Sequence, residues 1–264
     1  MVFVLGGAQT DFARNWARED AGLEQVVGEV IDAVVADAGI EHADIGAIHV
    51  GNAFGELFTG QAQLGAMPAT VHPELWGVPA ARHEAACASG GVATLAAMSE
   101  LEAGRYACIL VLGVEQQRNV PGDVAARHLG TAAWTGHEGQ DCRYMWPHMF
   151  SLLGDEYAHR YGLSSRHLLR IAEKNFRNAR RNPRAQTRGW TLGPEAFTEE
   201  DSTNPVIEGR IRRQDCAQPR NDPGFPGYRG GEMTRDTPTL ADAGLPGIHA
   251  FTSFSVLLPA KATP

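Results

Sequence analysis

The chain has 264 residues, of which 43% are hydrophobic and 20% charged, and its net charge is −8. Its length allows one large domain or two small ones. No apolar run approaches the length of a membrane span, and the acidic balance argues against nucleic-acid binding. The N-terminal Met-Val-Phe-Val-Leu is too short for a signal peptide and lacks a basic leader, so we expect a cytoplasmic protein without a membrane partner.

The first elements along the chain alternate between helix and strand. Apolar residues recur at helical spacing over 23–35, which predicts an amphipathic helix that Asp20 caps and Gly39 ends. Apolar runs near 46–51 and 106–113 predict strands that are buried on both faces. A helix of small and apolar residues lies between these strands. The alternation predicts an α/β domain with a largely parallel sheet.

Cys87 lies where a strand is expected to run into that helix of small and apolar residues, near 92–101. A thiol in the first turn of a helix is close to unpaired backbone N–H groups and to the positive end of the helix dipole, which favour the nucleophilic thiolate. The Ala-Ser-Gly-Gly segment at 88–91 leaves room for a substrate beside the sulfur. Free cysteines more often act as small buried hydrophobic residues, but this context favours a nucleophile.

The remaining cysteines give no sign of a metal site or a disulfide framework. The four cysteines, at positions 87, 108, 142 and 216, form no Cys-x-x-Cys pair and have no zinc spacing. We therefore expect reduced thiols and no metal.

From about residue 117 to 200 the pattern changes to short helices among glycine, tryptophan, histidine and methionine. Helices are predicted at roughly 149–161 and 164–179. Residues 160–188 contain nine Lys or Arg against one acid, Glu173. This basic surface suits an anionic small molecule, but basic helix faces also serve solubility, and the two interpretations stand about even.

The last segment, residues 219–264, holds seven of the fifteen prolines and six glycines. This composition is irregular unless another part of the protein organises it. One apolar run within it, residues 249–258, predicts a strand that completes the edge of the sheet.

The segment Glu84-Ala-Ala-Cys-Ala-Ser-Gly-Gly91 resembles the nucleophile motif of thiolases, the acetyl-CoA acetyltransferase family, and especially their sterol-carrier-protein-x-like branch. Other segments resemble strands and loops of the same family in the same order. These segments are 2–12, 48–55, 60–63, 109–115 and 204–215. The resemblance covers about residues 1–218.

The resemblance implies a thiolase-like layered α/β fold with a mostly parallel sheet and a helical loop domain. The implied divisions are an α/β core at 1–118, a loop domain over the acyl-CoA site at 119–203, a return segment at 204–218 and an atypical Pro/Gly-rich tail at 219–264. It also implies that Cys87 accepts an acyl group from a coenzyme A thioester, so that coenzyme A is a substrate and no separate cofactor is needed. Phosphates of coenzyme A would suit the basic segment.

The resemblance suggests a lining for the acyl or pantetheine channel, formed by Met145, His148, Met149 and Phe150. Soft and aromatic side chains suit such a surface. The alternative is ordinary packing within the loop domain, which is slightly favoured for any single one of these residues. The strand around 80–86 would contribute to a homodimer interface.

Only the first of the family's two similar halves has a counterpart here. Cys216 does not begin a Cys-x-Gly segment, and His249 is not followed by proline. We therefore expect an incomplete thiolase, since the family draws its base and enolate donors from its second half. The alternatives are an inactive remnant that acts as an interaction module and another acyl-handling relative, such as a ketoacyl synthase or an aldolase-like protein.

Overall fold

The computed structural model describes residues 2–117 and 119–215 and the backbone of 254–259. Its strands are β1 (Val2–Ala8), β2 (Ala47–Gly51), β3 (Ala80–His83), β4 (Ile109–Gly113), β5 (Val206–Glu208), β6 (Ile211–Arg212) and β7 (Phe254–Pro259). Its helices are α1 (Trp16–Glu19), α2 (Leu23–Ala38), α3 (Gly55–Thr59), α4 (Met67–Val71), α5 (Ser89–Glu102), α6 (Gly122–Gly130), α7 (Met145–Tyr161) and α8 (Ser165–Ala179). The described residues form two compact units, one of 2–116 with β7 and the other of 117 and 119–215.

The first unit is built on a five-stranded sheet in the order β1-β7-β4-β2-β3. Strands β4, β2 and β3 are parallel neighbours, and helices connect them along the chain. This arrangement confirms the predicted α/β fold class. Strand β7 is antiparallel to both β1 and β4. The strand predicted in the tail therefore exists at 254–259, but the expected position at the edge of the sheet is wrong.

Alternate residues of the central strands face two different layers of helices, as the pleat of a strand requires. In β2, Ile48 and Val50 pack into one apolar cluster together with the buried residues of α2. Ala47 of the same strand packs into a second cluster with Ala93 and Ala97 of α5. We call these two sides of the sheet the α2 layer and the α5 layer.

Helix α2 confirms the helix predicted at 23–35. All seven apolar residues of the predicted stripe are buried, and Ile31 is fully covered. Gly39 ends the helix with φ 67°, as expected. Asp20 does not cap its start, because Gly22 is the N-cap residue. Asp20 instead ends α1 with φ 52°, a left-handed conformation that a short polar side chain tolerates.

Helix α5 is the predicted helix of small and apolar residues, and it lies very close to the sheet. A Cβ atom added to Gly51 at the end of β2 would lie 2.8 Å from the Cα and N atoms of Gly90. The described residues cover only one face of α5, however. Val92 and Leu95 remain exposed, at 38% and 62% of their surface.

The second unit contains helices α6, α7 and α8 and the antiparallel hairpin β5–β6. Helix α8 has the predicted bounds, with Ser164 at its N-cap position. Helix α7 begins earlier than predicted, because Pro147 falls in its first turn, where proline is tolerated. The ring of Phe176 packs between Trp190 and Phe197, with centroids 5.9 and 5.8 Å away.

The described helices also bear on the membrane question. None of them has the length and apolarity that crossing a bilayer requires.

The division between the two units falls at 116/117, whereas the finer boundaries at 118, 203 and 218 stay predictions.

Candidate active site

Cys87 lies at the end of the sheet that is formed by the carboxyl ends of the parallel strands β2, β3 and β4. Strand β3 ends at His83, and a 3-10 turn over Ala86–Ala88 leads into α5 at Ser89. Binding sites of parallel sheets commonly lie at the carboxyl ends of their strands. The side chain is exposed, which is not the environment of a cysteine used for packing. Cys87 therefore precedes α5 by two residues and does not lie within its first turn.

Two side chains hold the turn that carries Cys87. The hydroxyl of Ser89 donates to the carbonyl of Ala86 at 2.6 Å and accepts from the N–H of Ala85 at 3.0 Å. The carboxylate of Glu84 accepts from the N–H of Ala86 at 2.6 Å. Ala86 has φ 48°, a left-handed conformation that is costly for a residue with a Cβ. Such strained turns are typical of sites that present a side chain to a substrate.

Helix α5 continues from the 3-10 turn, where the N–H groups of Ala88 and Ser89 already donate to the carbonyls of Ala85 and Ala86, so only later N–H groups of its first turn can face a substrate. Its N-cap residue, Ala88, makes no side-chain capping hydrogen bond. A Cβ added to Gly91 would meet no atom within 4 Å, so the surface of the first turn is open there. Backbone N–H groups in such a position can stabilise a developing oxyanion.

The pKa of the Cys87 thiol lies above its ordinary value. The largest cause is that nearby protein atoms displace water, even though the residue is exposed, and the negative charge of Glu115 adds to this effect. The backbone N–H of Cys87 itself acts in the opposite direction. The expected stabilisation of the thiolate is therefore wrong for this chain, because the loss of hydration outweighs the backbone contribution. At neutral pH the sulfur is a thiol and needs a base.

Hydrogen bonds between strand ends hold Glu115 near the cysteine. Its carboxylate accepts from the backbone N–H groups of Ala53 and Phe54, the latter at 3.2 Å. The buried side chain of Asn52 donates to the carbonyl of Val114 at 2.6 Å. The loop after β2 and the loop after β4 are thereby joined on one side of the site.

A chain of three side chains fastens α5 to the sheet and was not predicted from the sequence. Nδ1 of His49 on β2 lies 2.7 Å from Nε2 of His83 on β3, and Nε2 of His49 lies 3.0 Å from Oε2 of Glu100 on α5. Burial is the first cause of the lowered pKa of His83, followed by repulsion from His49, whereas Glu100 opposes both. A neutral His83 can donate through Nε2–H to His49, whose own Nε2–H then donates to Glu100. A histidine in an otherwise apolar strand was the signal that could have revealed the network.

The proposed channel residues lie together at the start of α7. Met145, His148, Met149 and Phe150 are all partly buried. A Cβ added to Gly130 would lie 3.3 Å from the Cβ of Met145, so Met145 packs closely against α6. This contact favours the packing interpretation for Met145, and a channel lining stays a prediction for the set.

The other cysteines differ from Cys87 in their surroundings. Cys108 is buried and Cys142 is partly buried. Burial is the main cause that raises the pKa of Cys108 to about 11. Cys216 and His249 lie outside the described residues.

Comparison with known proteins gives one family model, described as the thiolase N-terminal domain, which matches residues 2–200. An acetyl-CoA acetyltransferase of Methanothermobacter thermautotrophicus is 30% identical over 219 residues, which are 82% of this chain and 53% of the relative. Human sterol carrier protein 2 is 26% identical over 197 residues, covering 70% of this chain and 34% of the relative. The chain thus spans about half of the first relative and a third of the second.

Two solved structures have a similar fold. A structure titled Ltp2-ChsH2(DUF35) aldolase superposes with a TM-score of 0.58 at 21% identity, over 82% of this chain and 52% of that chain. An acetyl-CoA acetyltransferase from Syntrophomonas wolfei superposes with a TM-score of 0.50 at 16% identity, over 98% of this chain and 64% of that chain. At these identities the likeness concerns the fold alone.

Proposed function

The chain belongs to the thiolase family, and from this we propose that it transfers acyl groups to and from coenzyme A through Cys87. One observation carries the proposal. Cys87 is exposed on a strained turn at the ends of three parallel strands, two residues before a helix whose N-cap residue makes no side-chain capping hydrogen bond. A buried cysteine inside a helix would not support this role.

The proposed half-reaction is an exchange between two thioesters. The sulfur of Cys87 attacks the carbonyl carbon of the acyl-CoA thioester, and the carbonyl oxygen becomes an oxyanion near the start of α5. The bond between that carbon and the sulfur of coenzyme A then breaks. Coenzyme A leaves as a thiolate and takes up a proton equivalent to the one that Cys87 lost, so the reverse reaction regenerates the free cysteine.

The raised pKa of Cys87 affects the first step of this reaction, the attack of the sulfur on the thioester. Because the thiol is neutral at pH 7, removal of its proton must accompany or precede attack. The rate at which this chain is acylated should therefore increase as the pH rises. We propose that Claisen condensation, which needs a further base and donors for the enolate, lies beyond what this chain does alone.

The basic surface of the second unit is the proposed contact for the phosphates of coenzyme A. Arg166, Arg177 and Arg181 are exposed on and just after α8. Guanidinium groups bind phosphate oxygens through paired hydrogen bonds. The interpretation as a solvated helix face remains the alternative, and charge reversal at these positions would leave acylation unchanged in that case.

We propose a cytoplasmic homodimer as the working form. Strand β3 is at an edge of the sheet, and Ala80 and Ala81 are exposed there. An edge strand has unpaired backbone groups that a second copy of the chain could pair with.

The test of acyl transfer is isotope exchange between labelled coenzyme A and unlabelled acetyl-CoA. Exchange requires formation and reversal of the acyl-enzyme but no condensation. We expect the intact chain and Cys142→Ala to catalyse exchange, and Cys87→Ala to show none. Equal exchange by Cys87→Ala, or none by the folded wild-type chain, would refute the proposal.

A second candidate, an interaction module without catalysis, is favoured by the outer face of α5. From Gly90 to Met98 the residues of this helix are small or apolar apart from Thr94, yet Val92 and Leu95 are exposed. A helix of this composition is normally covered on all sides. In that case Cys87→Ala would leave binding of the partner unchanged, whereas Leu95→Glu would abolish it.

A further inference from the structure

Three side chains of the first unit, in the α2 layer and away from Cys87, converge on one point. Asp32 is on α2, His42 begins a 3-10 turn over His42–Asp44, and His72 immediately precedes a second 3-10 turn over Pro73–Leu75. Oδ1 of Asp32 lies 3.0 Å from Nε2 of His42 and 3.5 Å from Nε2 of His72. The three atoms all lie within 4.8 Å of one another.

Nε2 of His72 is shielded from solvent and lies 3.5 Å from Oδ1 of Asp32, but it makes no hydrogen bond among the described residues. Leaving a polar nitrogen buried and unpaired is costly. A Cβ added to Gly28, one turn before Asp32 on α2, would lie 4.0 Å from this nitrogen. Val71 packs closely there, because the same Cβ would lie 2.8 Å from its Cγ1.

Both histidines are on short turns that are anchored in the apolar core. In each turn the third residue after the histidine is buried, namely Ile45 and Leu75, and its N–H donates to the carbonyl of the histidine at 3.2 and 2.9 Å. The two imidazole rings stack with centroids 4.4 Å apart. Both Nε2 atoms therefore approach the same carboxylate from turns with little freedom to move.

We propose that Asp32, His42 and His72 bind one first-row transition-metal ion, with zinc as the best fit. Two imidazole nitrogens and a carboxylate oxygen are zinc ligands, whereas calcium and magnesium prefer oxygen ligands alone. In a tetrahedral site with zinc–ligand bonds of about 2.0–2.1 Å, neighbouring ligand atoms are about 3.3 Å apart. The two separations that involve Asp32, 3.0 and 3.5 Å, lie on either side of that value, and the two Nε2 atoms lie within 4.8 Å of each other.

The fourth position of the ion would face solvent. The side chain of Asp32 is 62% exposed, so water can reach the carboxylate that joins the two histidines. The ion would link α2 to the turn that follows it and to the turn after α4. This site is distinct from the proposed acyl transfer, because it lies in the α2 layer and Cys87 precedes α5.

The affinity test uses the full chain without a histidine tag, in a Cys87→Ala background that removes the exposed thiol. The chain is stripped with a chelator and titrated with zinc against a chromophoric competitor. We expect one tight site per chain, weakened at least tenfold by Asp32→Asn, by His42→Gln and by His72→Gln. His159→Gln, which changes an exposed histidine on α7, is the matched control and should leave the affinity unchanged.

A cobalt spectrum of the chain that carries only Cys87→Ala keeps the proposal testable if a ligand variant fails to fold. A nitrogen and oxygen ligand set predicts visible d–d bands without the strong near-ultraviolet band of a cobalt–thiolate bond. Zinc should also raise the thermal midpoint of unfolding, because it binds the folded form. Failure to bind a single zinc ion, a thiolate band, or equal affinity in the three ligand variants and the control would overturn the proposal.

Discussion

The two helix layers on the sheet of the first unit are built from different residues for different purposes. The α2 layer buries large branched side chains, such as Ile31 and Val34, in a continuous apolar cluster. The α5 layer buries alanines, such as Ala93 and Ala97, and includes a hydrogen-bonded histidine and the Cys87 turn. The α5 layer also buries Leu101, Ile109 and Val111, but its cluster is the smaller of the two, so the α2 layer supplies more of the apolar burial that stabilises the unit. The small side chains allow the close backbone approach that positions the cysteine.

The largest effect expected from this comparison is in the α2 layer. Ile31→Ala removes most of a fully buried side chain and should lower the free energy of unfolding by about 2–5 kcal/mol. Urea unfolding followed by tryptophan fluorescence measures the loss. Ala33→Gln, at an exposed position of the same helix, should stay within about 0.5 kcal/mol of wild type. A loss below about 1 kcal/mol for Ile31→Ala would show that α2 does not carry the stability of the unit.

In the α5 layer, stability should fall when a side-chain atom is added at the contact between the helix and the sheet. Gly51→Ala places a Cβ 2.8 Å from the backbone of Gly90, so α5 must move, at a cost of about 1–3 kcal/mol. Gly91→Ala adds the same atom in open space and should stabilise the helix by about 0.5–1 kcal/mol. Opposite signs in the two unfolding experiments are the expected result. Equal effects would mean that the contact between Gly51 and Gly90 is not tight.

Removal of the carboxylate from the histidine network should have a smaller effect. Glu100→Ala takes away the acceptor 3.0 Å from His49 and should cost about 0.5–1.5 kcal/mol. Glu102→Ala, two residues further along α5 and exposed, is the control and should cost little. If both variants unfold at the same urea concentration, the network does not fasten the helix.

The smallest expected effect is a dependence of stability on pH through His83. The unfolded chain protonates this histidine near its ordinary pKa of 6.5, whereas the folded chain does so at lower pH because burial lowers the pKa. The unfolded state therefore takes up the proton first, and the free energy of unfolding falls as the pH drops below 6.5. Urea unfolding between pH 7.5 and 5 should give a shallower decline for His83→Gln. A decline of the same steepness would assign the effect to other groups.

Features of the fold that depend on residues close together in the sequence could be predicted from the sequence. The stripe on α2 has helical spacing, so its buried face followed from periodicity alone. Cys87 stood out because a strand, small residues and a helix follow one another within a few positions. Helix α7 begins at Met145, four residues before its predicted start, and Pro147 lies inside its first turn.

Features that join distant positions could not be predicted in this way. His49 and Glu100 are 51 residues apart, and only the fold brings them to one hydrogen bond. The pKa of Cys87 depends on hydration and on Glu115, which follows it by 28 residues, so the position of the thiol before a helix indicated the wrong direction. The place of β7 inside the sheet depends on pairing with β1 and β4, which its own composition does not specify.

The most direct measurement is to locate the label after the chain is incubated with acetyl-CoA that carries a radioactive acetyl group. The protein is quenched in acid, digested, and its peptides are separated and sequenced by mass spectrometry. The account predicts one acetylated peptide, containing Cys87, from which hydroxylamine releases the label and whose labelling increases with pH. A folded chain that remains unlabelled, or one that carries equal label at Cys142, would contradict it.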